Sequence, residues 1–246
     1  MSALLEVQGL TKRFGGLTAV KDVSLSLDKG EIVGILGPNG AGKTTLFNLL
    51  TGFIPPDTGS VVFDGESIRA LPPFRIVKRG LARTFQLCRP FKGMSVQENV
   101  IVGCLGAGQH ANAAAAVRAL ELLAMVGLEH MALMPSELLP YGDLRRLEIA
   151  RALATNPKLL LLDEPFAGLG TAEIEPLSGL IRELHREQGL TILIIEHKLR
   201  EFMKLVLRVI AMDFGEVIAQ GAPDAIVRDP RVIEAYIGRD EAHAVA

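Results

Sequence analysis

Two kinds of apolar pattern run along the chain, and they predict two kinds of strand. Leu4-Leu5-Glu6-Val7-Gln8 and Val20-Lys21-Asp22-Val23-Ser24-Leu25-Ser26-Leu27 alternate apolar with polar, and turn residues stand at Gly15-Gly16 and Asp28-Lys29-Gly30. That is the pattern of antiparallel strands joined in hairpins. Ile32-Val33-Gly34-Ile35-Leu36, Lys158–Leu162 and Leu190–Ile195 are near-solid apolar runs, as expected of strands covered on both faces. Pro55-Pro56-Asp57-Thr58-Gly59 predicts a turn, and Ser60–Gly65 a short strand after it. Helical stretches are expected from Thr45 to Leu50, over much of Val96–Pro135, over Leu144–Ala154, and over Glu173–Gln188, which Gly189 stops. Between Val96 and Pro135 the residues Leu120, Leu123, Val126 and Gly127 with Leu128 give the three-to-four spacing of a buried face. Val206–Ala211 and Glu216–Ala219 read as late strands, and Val232–Ile237 as a last short helix.

Strands and helices alternate on either side of a strand-poor stretch, so the fold class is α/β with an α-helical insertion. The boundaries predict a single domain over residues 1–240, with a core of about 1–86 and 155–240, an insertion of about 87–154 and a tail at 241–246. Apolar residues make up 49% of the 246, enough to build such a core and too many for a disordered chain. The net charge is −2 and basic residues are scattered, so no nucleic-acid partner is expected. The two cysteines, Cys88 and Cys104, lack metal-ligand spacing and read as reduced thiols. An acid follows almost at once after Met1, so no signal peptide is expected, and no apolar run reaches the ~18 residues of a membrane span. Any membrane role is therefore expected to come through a partner.

One stretch changes this picture from a fold to a chemistry. Gly37-Pro38-Asn39-Gly40-Ala41-Gly42-Lys43-Thr44-Thr45 follows the strand-like Ile32–Leu36 and opens a helix, and it matches G-x-x-x-x-G-K-[ST]. Glycines let the backbone wrap so that successive N–H groups face a triphosphate, and the helix N-terminus adds partial positive charge. Lys43 is expected at the β- and γ-phosphates and the Thr44 hydroxyl on Mg²⁺. A carboxylate at the end of a neighbouring strand completes such a site, and Leu159-Leu160-Leu161-Leu162-Asp163-Glu164 supplies two. Successive strand positions point to opposite faces, so Asp163 is expected to hold the metal and Glu164 to polarise a water for attack on the γ-phosphate.

At these residues the chain resembles the ATP-binding subunits of ABC transporters, over about residues 4 to 238. Leu139-Pro140-Tyr141-Gly142-Asp143 and the following Leu144–Leu153 occupy the signature-motif position. Gln86, in Ala82-Arg83-Thr84-Phe85-Gln86, looks like the glutamine joining core to insertion, and His197 like the switch histidine. Phe14 stands where an aromatic ring stacks on adenine. The resemblance implies a P-loop NTPase core, a mixed sheet with an N-terminal antiparallel β subdomain, and an inserted helical subdomain. It implies ATP and Mg²⁺ as cofactors and Glu164, His197 and Gln86 as catalytic groups. It places nucleotide contacts at Phe14, at Gly37 to Thr45 and, across a dimer, at Tyr141 and Gly142; metal contacts fall at Thr44, Gln86 and Asp163. His110, His130, His185 and His243 have no motif context.

A finer resemblance, carried by Tyr141-Gly142, Arg145–Ala154, Ala167-Gly168-Leu169 and Tyr236-Ile237-Gly238, is to the branched-chain amino acid importers. It implies a second, different ATPase subunit, two transmembrane permeases, a periplasmic or lipid-anchored binding protein, and a place on the cytoplasmic face of the inner membrane. The lipopolysaccharide-export ATPases are the first alternative and a soluble, non-transport ABC ATPase the second. The chain departs from the usual signature at Pro140, which lacks a hydroxyl and an N–H, and at Asp143, where Gln is usual. Asp143 is expected as the N-cap of the next helix. Gly170 and Lys198 stand where acids are common. These departures fall on surfaces offered to a partner ATPase, which predicts an asymmetric pair of sites.

Overall fold

A computed structural model describes residues 3–106 and 112–237; the expected tail at 241–246, His110 and His243 lie outside them. In chain order the elements are β1 (Leu5–Phe14), β2 (Leu17–Leu27), β3 (Ile32–Leu36), α1 (Lys43–Leu50), β4 (Thr58–Phe63), β5 (Glu66–Ser67), α2 (Pro73–Lys78) and β6 (Leu81–Arg83). Next come α3 (Val96–Gly106), α4 (Asn112–Met125), α5 (Tyr141–Leu153), β7 (Leu159–Asp163) and α6 (Thr171–Gln188). The chain continues with β8 (Thr191–Ile195), α7 (Leu199–Leu205), β9 (Arg208–Asp213), β10 (Glu216–Gly221), α8 (Pro223–Ile226) and α9 (Pro230–Ile237). The chain forms two units, one of Met1–Ile76 with Thr191–Ala246 and one of Val77–Leu190.

In the first unit the alternating segments pair as expected: β1 lies antiparallel between β2 and β4. The apolar β3 is central to a second set, parallel to both β8 and β9, with β10 antiparallel on the outer side of β9. Every residue of β3 and β8 is buried, which accounts for their unbroken apolar sequence. Gly34, in the middle of β3, admits the ring of Phe202 from α7; a Cβ there would overlap that ring. The register sets Ile35 against Ile195, so Gly37 and His197, each two residues on, leave the sheet at the same edge.

In the second unit β6 runs parallel to the wholly buried β7, and α3, α4 and α5 pack together. Leu123, Val126 and Leu128 are buried as the spacing predicts, but Leu120 is 42% exposed. The buried stripe of α4 is Ala115, Ala119, Leu122 and Leu123, continued by Val126 in the turn after it; these 4-3-1-3 steps hold one helical face while Leu120 falls beside it. Helix α5 begins at Tyr141, three residues earlier than expected. Its N-cap is therefore Pro140, without a side-chain cap, and Asp143 sits inside the first turn, 3.9 Å from Arg146. An acid there still complements the helix dipole. Thr58 and Gly59 belong to β4 rather than to the preceding turn, because Gly59 lets the strand approach the Gly9 carbonyl of β1 closely. The short elements β5, α2, β6, α7 and α8 have too few residues to show a period and were not legible as elements.

Candidate phosphate loop and acidic strand end

The candidate residues divide between the two units. Phe14, Gly37 to Thr45 and His197 belong to the first; Gln86, Tyr141, Gly142, Asp163 and Glu164 belong to the second.

In the first unit the loop leaves β3 and enters α1 with Gly42 as N-cap, at φ 95 and with no side chain to cap the first-turn amides. Gly40 is also left-handed, and a Cβ on Gly42 would drive into the Ala19 carbonyl. Only glycine suits both the conformation and that close approach. The turn is tied by Ala41 N–H to the Pro38 carbonyl at 3.2 Å and by Gly215 N–H to the Ala41 carbonyl at 3.2 Å. Lys43 is buried, and its ammonium donates to the carbonyls of Gly37 at 2.6 Å and Pro38 at 2.9 Å. A cation curled under glycine-rich backbone at a helix N-terminus is an anion-binding arrangement. Phe14 ends β1 with 48% of its surface exposed and the Lys12 ammonium 5.6 Å from its ring centre. An aromatic face left open in this way can stack on a planar base. His197 is exposed two residues beyond β8, and the buried Glu196 carboxylate accepts the His197 and Lys198 N–H groups at 2.9 and 3.1 Å. That fixes the backbone on which the imidazole stands.

In the second unit Arg83 on β6 lies opposite Leu161 on β7. Three residues further along each strand the same register brings Gln86 to Glu164, and the Gln86 amide donates to Glu164 Oε2 at 2.7 Å. Glu164 has a left-handed backbone, φ 49, uncommon for a non-glycine residue. Such a turn at a strand end is a place where backbone strain serves a functional side chain. Asp163 is 3% exposed and pairs with Arg83, itself 6% exposed, at 2.6 Å. This buried pair was not legible in the sequence, which gave no reason to join an arginine on one short strand to an acid on another. The Arg83 guanidinium donates to Oδ2 of Asp163.

Helix α5 locks this carboxylate end in place. Arg145, 2% exposed, donates to the carbonyls of Phe85 (3.1 Å), Gln86 (2.8 Å) and Ala167 (3.2 Å) and to the Tyr141 hydroxyl (2.8 Å). Glu148, one turn on, accepts the Phe85 N–H at 2.7 Å and the Cys88 thiol at 3.2 Å. Burial pushes the Glu148 carboxyl above the usual range, against the lowering pull of those donors and of Arg145. Burial, with the Glu148 charge beside it, raises the Cys88 thiol to about 12. Gly168, in the loop after Glu164, is left-handed and lies against the Tyr141 ring. Arg145 and Glu148, three apart in the helix expected from Leu144, could be read as sharing a face; the place of Tyr141 on it, and their buried partners, could not.

The model of the ABC transporter family matches residues 20–167. The chain belongs to the ABC transporter family. A second model, of the branched-chain amino acid ATP-binding cassette transporter, matches residues 216–242. The cassette is 42% identical to the high-affinity branched-chain amino acid transport ATP-binding protein BraF of Pseudomonas aeruginosa, covering 96% of this chain and 98% of that protein. It is 43% identical to LivG of Escherichia coli, of the same description, with the same coverage, and 39% identical to the lipopolysaccharide export system ATP-binding protein LptB of Escherichia coli, covering 97% and 98%. Among solved structures, the ADP conformation of an ATP-binding cassette of an ABC transporter matches with a TM-score of 0.87 at 32% identity, covering 97% of this chain and 100% of that one. The expected P-loop NTPase fold with an antiparallel N-terminal sheet is therefore the fold of this cassette, and its activity is ATP hydrolysis in transport. Among the described residues no helix is long and apolar enough to cross a membrane.

Proposed function

We propose that this cassette drives import of branched-chain amino acids or related small solutes, working as one ATPase domain over residues 1–240 with its helical insertion at about 87–154. The observation that carries this reading is near-full-length similarity to BraF and LivG, joined to the separate match over residues 216–242. Its partners are a second, different ATPase subunit, two transmembrane permeases that hold it at the cytoplasmic face of the inner membrane, and through them a periplasmic or lipid-anchored binding protein.

ATP is bound by Phe14 at the base and by Gly37, Pro38, Asn39, Gly40, Ala41, Gly42, Lys43, Thr44 and Thr45 at the phosphates. Tyr141 and Gly142 close the site of the partner ATPase. The hydroxyl of Thr44, the carboxylate of Asp163 and the amide of Gln86 offer oxygen atoms, the donor type that suits Mg²⁺. Bound there, Mg²⁺ supplies charge neutralisation for the transferring phosphoryl group. Glu164 accepts a proton from the attacking water, Gln86 orients that carboxylate through their hydrogen bond, and His197 donates to the γ-phosphate.

Gentle solubilisation of native membranes through a tag on this chain tests the reading. Two polytopic permeases with a second, different ATPase are expected. A single ATPase species with an envelope-spanning assembly would mean the exporter, and recovery with ribosomes or no membrane protein would sink the transport assignment.

A further inference from the structure

The first peptide of the phosphate loop is held from the far end of the chain. The Tyr236 hydroxyl, on α9, accepts the Gly37 N–H at 3.1 Å, although 199 residues separate them. The carbonyl of the same glycine accepts the Lys43 ammonium at 2.6 Å. Gly37 is thus fixed through both of its polar groups, one by the C-terminal helix and one by the phosphate-binding lysine. Its third side is closed as well, because a Cβ at Gly37 would run into the Met212 carbonyl on β9.

Elsewhere the helix and the loop stand apart. A cavity of about 720 Å³ is lined by Pro38, Asn39 and Gly40 of the loop's outer turn and by Arg231, Glu234 and Ala235 of α9. Close packing therefore does not join α9 to the loop tip, and the Tyr236 hydroxyl bridges them at the loop's base. A buried amide keeps its place only while its acceptor is present. Losing that acceptor frees the Gly37 peptide, and with it the two carbonyls that hold Lys43.

We propose that Tyr236 is a positioning residue for nucleotide binding, by which the C-terminal helix sets the affinity of the phosphate loop. The proposal rests on the loop being the nucleotide site. Tyr236 touches no reacting atom, so its effect belongs to binding. A loop no longer held in order must be ordered by the nucleotide, which weakens affinity and leaves the chemical step alone. A purely structural role for Tyr236, as an anchor of α9, would lower thermal stability and active fraction without changing affinity.

The test uses the full chain, measuring ADP affinity by titration calorimetry and ATP turnover in the assembled complex. Tyr236→Phe keeps the ring and removes the acceptor. It is expected to raise the ADP Kd and the ATP KM about three- to tenfold, the worth of one hydrogen bond, with kcat held. Unchanged Kd and KM, or a fall in kcat and Tm with Kd unchanged, would overturn the proposal. Lys43→Ala separates the two levels of argument. If it binds ADP as the parent does, the loop is not the nucleotide site and both readings fall. If it loses ADP while Tyr236→Phe binds normally, the role of Tyr236 alone is refuted.

Discussion

Glu164 and Cys88 show how neighbouring residues in one unit are given opposite chemical characters. Glu164 stands on a left-handed backbone at the end of β7 with its carboxylate aligned by Gln86. In the role of base proposed for it, it is needed for turnover but not for nucleotide binding. Glu164→Gln should leave ATP binding intact while cutting steady-state hydrolysis at least a hundredfold, within the range for loss of a general base; turnover near the parent rate would remove Glu164 from that role. Cys88, two residues from Gln86, is instead made inert. With its pKa pushed from 9 to about 12 by burial and by Glu148, it carries about a thousandfold less thiolate than an ordinary thiol at pH 8. The nucleophilic form of the thiol appears only as pH rises toward the shifted value. Peptide mapping after alkylation at pH 8 should therefore find Cys88 almost unmodified in the native chain and fully modified in urea. Rapid native labelling would contradict the burial argument.

At the scale of elements, α5 is the piece that makes the carboxylate end rigid. Its Arg145 joins three carbonyls from two loops and shares a buried face with Glu148. Removing one side of such a buried network strands the other, at a cost of about 3–5 kcal/mol. Arg145→Met should show that loss in urea unfolding, and Arg145→Met with Glu148→Leu should recover part of it, because no lone buried charge remains. Parent-like stability of the single variant would show that Arg145 is not needed to hold the Gln86 and Ala167 loops. Part of the face that makes this possible was legible, since Arg145 and Glu148 lie three apart in the expected helix, whereas Tyr141 fell before its expected start. What lies against it was not, because Phe85 and Ala167 come from segments with no periodic signal. Leu120 gives the converse lesson: spacing alone put it in the core, and one helical step of phase left it in solvent.

At the scale of the whole molecule, the departures at Pro140 and Asp143 bear on the proposed pairing with a second ATPase. Pro140 caps α5 without a hydroxyl or an N–H, and Asp143 brings a negative charge into the first turn. Both would weaken a hold on a phosphate bound by the partner chain, through a missing donor and like-charge repulsion. In the assembled complex, Pro140→Ser with Asp143→Gln should raise ATP turnover by about ten- to a hundredfold, the effect of one recovered hydrogen bond to a charged group. An unchanged rate would mean that the two sites of the complex are not unequal for this reason.

The sequence by itself determined the buried strands, the glycine-rich turn into α1 and the adjacent carboxylates at the end of β7, because each is written in consecutive residues whose period or spacing carries its own physical meaning. Ile32–Leu36 can only be a covered strand in water, and Gly40 and Gly42 permit a turn that other residues resist. Tertiary structure alone decided which groups meet: Arg83 with Asp163 across 80 residues, Gln86 with Glu164 across 78, and Tyr236 with Gly37 across 199. Those pairings follow from strand register and from where the last helix returns to the sheet. Both are set by the packing of the whole chain, and no local stretch of it contains them.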